Sequence, residues 1–192
     1  MQRTLGAIVC GAIVTTAAVM ASAGGGGGGA AAAPALAKPV VAWSGPQSGH
    51  THELWVRVRQ PEDWRKLWET HEGEHARRLM AHGGGVICPE IDFERYEVVA
   101  YFRGLSANSD GEVVTEIREE ADRLVIRFDS FSFQSATFGG PEAGPQQPNV
   151  TPYGIWVIER TDKPVVIEEN TQRLKDQPAE WTRRAVMGTD PC

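Results

Sequence analysis

The sequence is short of positive charge, of cysteine and of long apolar runs, and each shortage closes a class of function. Its 19 Lys and Arg stand against 25 Asp and Glu, a net charge of -6. The chain therefore lacks the basic footprint that a phosphate backbone demands, which argues against nucleic acid as a partner. The charges are spread along the chain, as a solvated surface requires. The apolar run Leu5 to Met20 holds 16 residues, too few and too rich in Ala for a spanning helix. No Gly-flanked nucleophile turn surrounds Ser130, Ser132 or Ser135, which instead alternate with Phe131 and Phe133 as in a strand. The glycine runs at 24–29 and 83–85 lack the Lys and the strand-to-helix setting of a phosphate loop.

What is present begins with an export signal. Arg3 supplies a basic start, the apolar run follows, and Ala21-Ser22-Ala23 fits a small-residue cleavage site, so residues 1–23 read as a signal peptide. Lipidation would need a cysteine closing the apolar run, whereas Cys10 sits early in it. Removing the signal takes one base and no acid, leaving 18 basic residues against 25 acidic, and leaves no transmembrane segment. The expected location is periplasmic, cell-envelope or extracellular. Residues 24–39, opened by six glycines, read as a Gly/Ala-rich linker that cannot bury a core. A single domain is expected over 40–170, and a tail over 171–192 that looks irregular or weakly helical. Of the three cysteines, Cys88 and Cys192 survive cleavage into an oxidising space. They form either a disulfide, which across so long a loop stabilises by about 4–5 kcal/mol, or two free thiols.

Periodicity finds strands more than helices. In "HELWVRV", Leu54, Val56 and Val58 share one face and Glu53, Trp55 and Arg57 the other, a half-buried strand. "YEVVAYF" is apolar on both faces apart from Glu97 and reads as a central strand. "EVVTEI" and "RLVIRF" make a hairpin with Leu124, Ile126 and Phe128 inward, and Asn108 to Gly111 a turn. "YGIWVIE" and "PVVIE" suggest a last hairpin around Thr161-Asp162-Lys163, preceded by a long loop at 138–149. The fold class is α+β and mostly β: an antiparallel sheet or small sandwich of about six strands with one main helix.

That helix, from about Glu62 to Ala81, opens with Pro61 and two acids, as a helix N-terminus favours. At 100° steps Trp64, Leu67, Trp68, His71, His75 and Leu79 form one stripe. "HEGEH" spells the H-E-x-x-H of zinc hydrolases, in which His71 and His75 would share one ion and Glu72 would polarise its water. Against it, Arg78 and Ala81 stand where the long form of the motif wants Gly and His, and Gly73 costs about 1 kcal/mol of helix propensity. His82, Glu90 and Glu94 do not have the spacing of a third ligand. The stripe also fits plain packing, and the favoured expectation is no metal and no catalytic residue.

The surroundings of the helix carry a resemblance. The W-x-x-x-W of Trp64 and Trp68, the P-x-x-D-F step of Pro89, Asp92 and Phe93, the Val-rich strand ending at Gly104 and the closing strand led by Pro152 and Tyr153 are spread over Leu54 to Arg160. Together they resemble the C-terminal domain of the protease-complex stabilising subunit (PrcB-like) family of exported bacterial proteins. The resemblance implies a small, mostly β domain that assists or stabilises a partner protein, by name a protease; no cofactor is expected. Physically, Trp64 and Trp68 can lay large rings on a sheet, Asp92 can tie a turn through its side chain, and Phe93 can anchor it. Of Trp55 and Trp156, whichever faces outward is a candidate binding anchor. The expected function is thus a non-enzymatic binding module, with a zinc-dependent hydrolase and a structural envelope domain as the alternatives.

Overall fold

The computed structural model describes residues 36–81, 87–132, 150–172, 174 and 176–188. The expected signal peptide, most of the linker, His82, the 138–149 loop and Cys192 lie outside these, as do the side chains of 74–81, His75 and Leu79 among them. The elements are strands β1 (Leu36–Ala37), β2 (Val41–Gly45) and β3 (Leu54–Val58), helix α1 (Pro61–Ala81), then strands β4 (Tyr96–Phe102), β5 (Ser109–Glu119), β6 (Leu124–Ser132), β7 (Tyr153–Glu159), β8 (Val165–Asn170) and β9 (Trp181–Met187). Four strands make one sheet in the order β2-β7-β4-β3, and five make another in the order β1-β5-β6-β8-β9. The molecule is α+β and mostly β, and α1 covers one face of the four-stranded sheet while the five-stranded sheet covers the other.

The period of two along each strand decides which residue enters which layer. Val98, Ala100 and Phe102 of β4, with Ile155 and Val157 of β7, point to α1 and meet Trp64, Leu67 and Trp68. Val99, Tyr101, Trp156 and Ile158 point the other way and meet Ile126, Phe128, Val165 and Ile167 of the second sheet. β4 is therefore buried on both faces, which is why its sequence does not alternate. In β3, Leu54, Val56 and Val58 lie on the helix side as their alternation indicates, and Trp55 lies on the side of the second sheet. Each such buried aliphatic or aromatic side chain stabilises by about 1.5–3 kcal/mol.

Three expectations about organisation need correction. There is no last hairpin: β7 and β8 belong to different sheets, and residues 160–164 cross between them, with β8 pairing parallel to β6. The crossover is held by Arg57, whose Nη1 and Nη2 donate to the carbonyls of Lys163 (3.1 Å) and Thr161 (2.6 Å). The tail is not irregular throughout, because Trp181–Met187 pair antiparallel with β8. Its period is hidden by an edge position, where Thr182, Arg183, Arg184 and Val186 stay exposed. At the other terminus, Leu36 and Ala37 of the expected linker pair with Arg118 and Ile117 of β5.

The two sheets also meet at their corners. β2 runs beside β5 where Gly111 (φ 119°) lies so close that a Cβ there would stand 2.5 Å from the Gly45 nitrogen. On the opposite side, the chain leaving β9 is held against β3 by Arg57 Nη1 donating to the Gly188 carbonyl at 2.8 Å. No helix among the described residues is long and apolar enough to cross a membrane.

Candidate functional site

The H-E-x-x-H segment is divided by its own glycine. Gly73 takes φ 48° and ψ -118°, outside the helical region, so α1 kinks between the two histidines. The cause is a close approach. The amide of Gly49 donates to the His71 carbonyl at 2.7 Å, and a Cβ on Gly49 would fall 1.9 Å from the Thr70 oxygen. Two glycines facing each other let the 46–50 loop press into the helix and take up a carbonyl that an unbroken helix would bond to residue 75.

His71 itself is a packing residue, 7% exposed. Its ring meets Tyr153 at 4.3 Å, Trp68 at 5.2 Å and Phe102 at 5.8 Å, and its Nδ1 lies 3.0 Å from the Ser48 hydroxyl. Burial, with the neighbouring His50 second, lowers its pKa to about 4, so it is neutral at physiological pH. His50 sits 4.0 Å from the Phe102 ring, and burial lowers its pKa too, against the raising effect of its contact with the Leu67 carbonyl. Ser48 and His50 were invisible as neighbours of His71 in the sequence, since only the fold brings them there. Glu72 is half-buried, and among the described residues no group of three potential ligands is placed to hold a metal.

The residues of the W-x-x-x-W and P-x-x-D-F patterns do come together. Trp64 donates its Nε1 to the Pro89 carbonyl at 2.8 Å, which ties the helix to the step before β4. Trp64 and Trp68 are buried beside Trp43, whose ring centre lies 6.1 and 5.5 Å from theirs. Asp92 accepts the Glu94 amide on its side chain at 3.1 Å, closing the turn as its chemistry suggests, and Phe93 anchors it in the core. Arg160 then donates to the Phe93 carbonyl at 2.6 Å. Between Gln60-Pro61 at the start of α1 and Ile91 to Glu94 opens a cleft of about 690 Å³, with Arg59 and Arg160 on its wall. It offers guanidiniums, carboxylates and the apolar surface of Ile91 and Phe93 in one place.

The remaining sequence candidates are structural. Gly104 (φ 77°) is pressed against His52 and Glu53, where a Cβ would come within 2.8 Å of the His52 carbonyl carbon. The Pro152 carbonyl accepts the Arg103 amide at 3.0 Å, and the Tyr153 ring packs on His71 and Phe102. Neither mid-strand tryptophan is an outward anchor: Trp156 is fully buried between the sheets, and Trp55 is half-buried, stacked on Tyr101 at 3.6 Å. Cys88 is half-buried, with its Sγ 3.8 Å from the Pro89 carbonyl; burial chiefly pushes its thiol pKa up. Cys192, its expected partner, lies outside the described residues.

Two buried ionic clusters went unread. Near the start of β4, Glu97 is fully buried and takes Arg57 Nη2 at 2.8 Å and Arg59 Nε at 2.7 Å. Beyond its end, Arg103 Nε donates to Glu112 at 2.7 Å and Arg103 Nη2 to Glu169 at 3.1 Å. Ser130 Oγ lies 2.5 Å from the one carboxylate and 3.0 Å from the other. Burial works to raise the Glu169 pKa, but the hydrogen bonds and charges of Arg103, Ser130 and Arg184 outweigh it and leave it low. Both carboxylates are almost wholly enclosed and their oxygens are engaged, which marks them as structural. Comparison with protein-family models, curated proteins and solved structures yields no match.

Proposed function

We propose that this chain is an exported, non-enzymatic binding module that holds and stabilises a partner protein, as the PrcB-like resemblance implies, with a protease as the partner to test first. The observation that carries the reading is the condition of His71. A zinc hydrolase needs that imidazole and His75 on one helical face with an open coordination position. Here the ring is enclosed by Trp68, Phe102 and Tyr153, its Nδ1 faces Ser48, and the helix breaks two residues later. The cleft between the start of α1 and the Asp92-Phe93 turn supplies the mixed apolar and charged surface that non-obligate protein interfaces use.

The test has two arms. A photoreactive residue at Ile91, in the cleft, should crosslink one defined protein in cells that export this chain, while the same residue at Thr115, on the far sheet, should not. The untagged protein should hold no stoichiometric zinc, and any trace of peptide hydrolysis should persist in Glu72→Gln. Equal crosslinking from both positions, or one tightly held zinc with hydrolysis abolished in Glu72→Gln, would overturn the reading in favour of a structural domain or a hydrolase respectively.

A further inference from the structure

The outer face of the five-stranded sheet, away from α1, carries a site that the protein-partner reading does not use. Its outward side chains form a continuous chain of ion pairs that runs from Arg123 to Glu168. Arg118 pairs with Glu116 (3.4 Å) and Glu120 (2.9 Å), Arg123 with Glu120 (2.6 Å), and Arg127 with Glu116 and Glu168 (2.9 Å each). Arg183 is exposed and stands opposite Glu168 in the β8–β9 register, yet it makes no ion pair among the described residues. Beside it is Trp181, half-buried, with the Arg127 guanidinium 4.8 Å from its ring centre. Between these residues and the Glu120-Arg123 corner lies an open groove of about 310 Å³, floored by the buried Val125 and Val166.

We propose that this groove binds one or two residues of an anionic polysaccharide, a chain of sugar acids. Arg183, supported by Arg123, supplies a guanidinium for the sugar carboxylate. Glu120 and Glu168 accept from ring hydroxyls, which need acceptors as well as donors. Trp181 offers an aromatic wall for the C–H faces of the ring. The same carboxylates disfavour an acidic peptide, which would bring negative charge with no hydroxyls to satisfy them. The volume is at the small end of ligand sites, about the size for a short stretch of chain crossing an open sheet face.

Calorimetric titration of the full chain with trigalacturonate, maltotriose and triglutamate tests the proposal. Trigalacturonate should saturate a single site, and Arg183→Ala and Trp181→Ala should each weaken it by at least about tenfold, the scale of one lost charge-assisted or stacking contact. Arg183→Ala removes an exposed side chain that makes no ion pair among the described residues, so it should leave the melting temperature unchanged and report on binding alone. Absence of saturable binding, equal binding of maltotriose or triglutamate, or undiminished affinity in Arg183→Ala would each sink the proposal.

Discussion

The two faces of the four-stranded sheet are closed in different ways. Under α1 the closure is aromatic and neutral: Trp43, Trp64 and Trp68 pack together, and Trp68, Phe102 and Tyr153 enclose the uncharged His71. Under the second sheet the apolar layer is flanked at the two ends of β4 by buried ions, Glu97 at one and Glu112 with Glu169 at the other. A single helix can be aligned by ring packing alone. Two sheets joined by crossovers need something that fixes which strand lies where, and directional charge-assisted bonds supply it. Arg57 shows this, since one guanidinium contacts Glu97 and the carbonyls of Thr161, Lys163 and Gly188, gathering four separate segments.

The largest expected effect is therefore on the ionic face. Glu97→Ala takes from Arg57, with its side chain 5% exposed, its carboxylate, and from Arg59, 12% exposed, the nearer of two, the other being the exposed Asp162 at 3.9 Å. We expect a loss of about 3–5 kcal/mol in denaturant unfolding, the usual consequence of stranding a buried charge. Glu169→Ala should cost clearly less, because Arg103 keeps Glu112 and Arg184 is already 38% exposed. If the two variants lose equal stability, the clusters are equivalent and the two ends of β4 are not asymmetric.

The neutral face should respond to acid. His71 has its folded pKa depressed to about 4 from 6.5. Between those values the unfolded chain binds the proton and the folded one does not, so the stability contribution is complete above 6.5 and is lost as pH falls toward 4. The full window corresponds to about 3 kcal/mol. His71→Gln cannot take up that proton, so its stability should fall less steeply between pH 7 and 4 than that of the wild type, measured by urea unfolding at each pH. Parallel pH profiles would mean that the ring is not held neutral by burial.

Much of this architecture was legible in the sequence because it follows simple periods. Leu54, Val56 and Val58 alternate, as do Leu124, Ile126 and Phe128, and Trp64, Leu67, Trp68 and His71 keep helical spacing; all lie on the faces those periods assign. What escaped depends on tertiary choice. Three residues around Asp162 could close a hairpin or cross between sheets, and non-local bonds from Arg57, Arg59 and Lys163 hold the crossover. Glu97 stood out as the one acid in an apolar strand, but its arginines are 38 and 40 residues away. Gly73 looked like a propensity cost in a helix; its reason, contact with Gly49, is non-local. The packing of Trp64 and Trp68 was legible from their spacing, whereas the cleft around Asp92 and Phe93 was not, because it forms only where the start of α1 meets the step before β4.

The smallest expected effect divides the aromatic face within itself. Trp64 and Trp68 lie one turn apart and are buried alike, yet their indole N–H groups fare differently. Trp64 donates to Pro89, while Trp68 Nε1 is buried with no acceptor among the described residues. Replacing either by Phe removes comparable apolar area, so the area terms largely cancel. Trp64→Phe also takes the indole donor from the Pro89 carbonyl and unties α1 from the step before β4, whereas Trp68→Phe removes a donor that has no acceptor among the described residues. A buried group without a partner costs about 1–3 kcal/mol, so Trp64→Phe should be the more destabilising by about 1–2 kcal/mol. Calorimetric melting of the two variants compares them directly, and a larger loss in Trp68→Phe would show that its indole N–H has an acceptor in solution. The ring-packed face would then depend on polar bonds as the ionic face does, and the contrast between the two would narrow to one of charge.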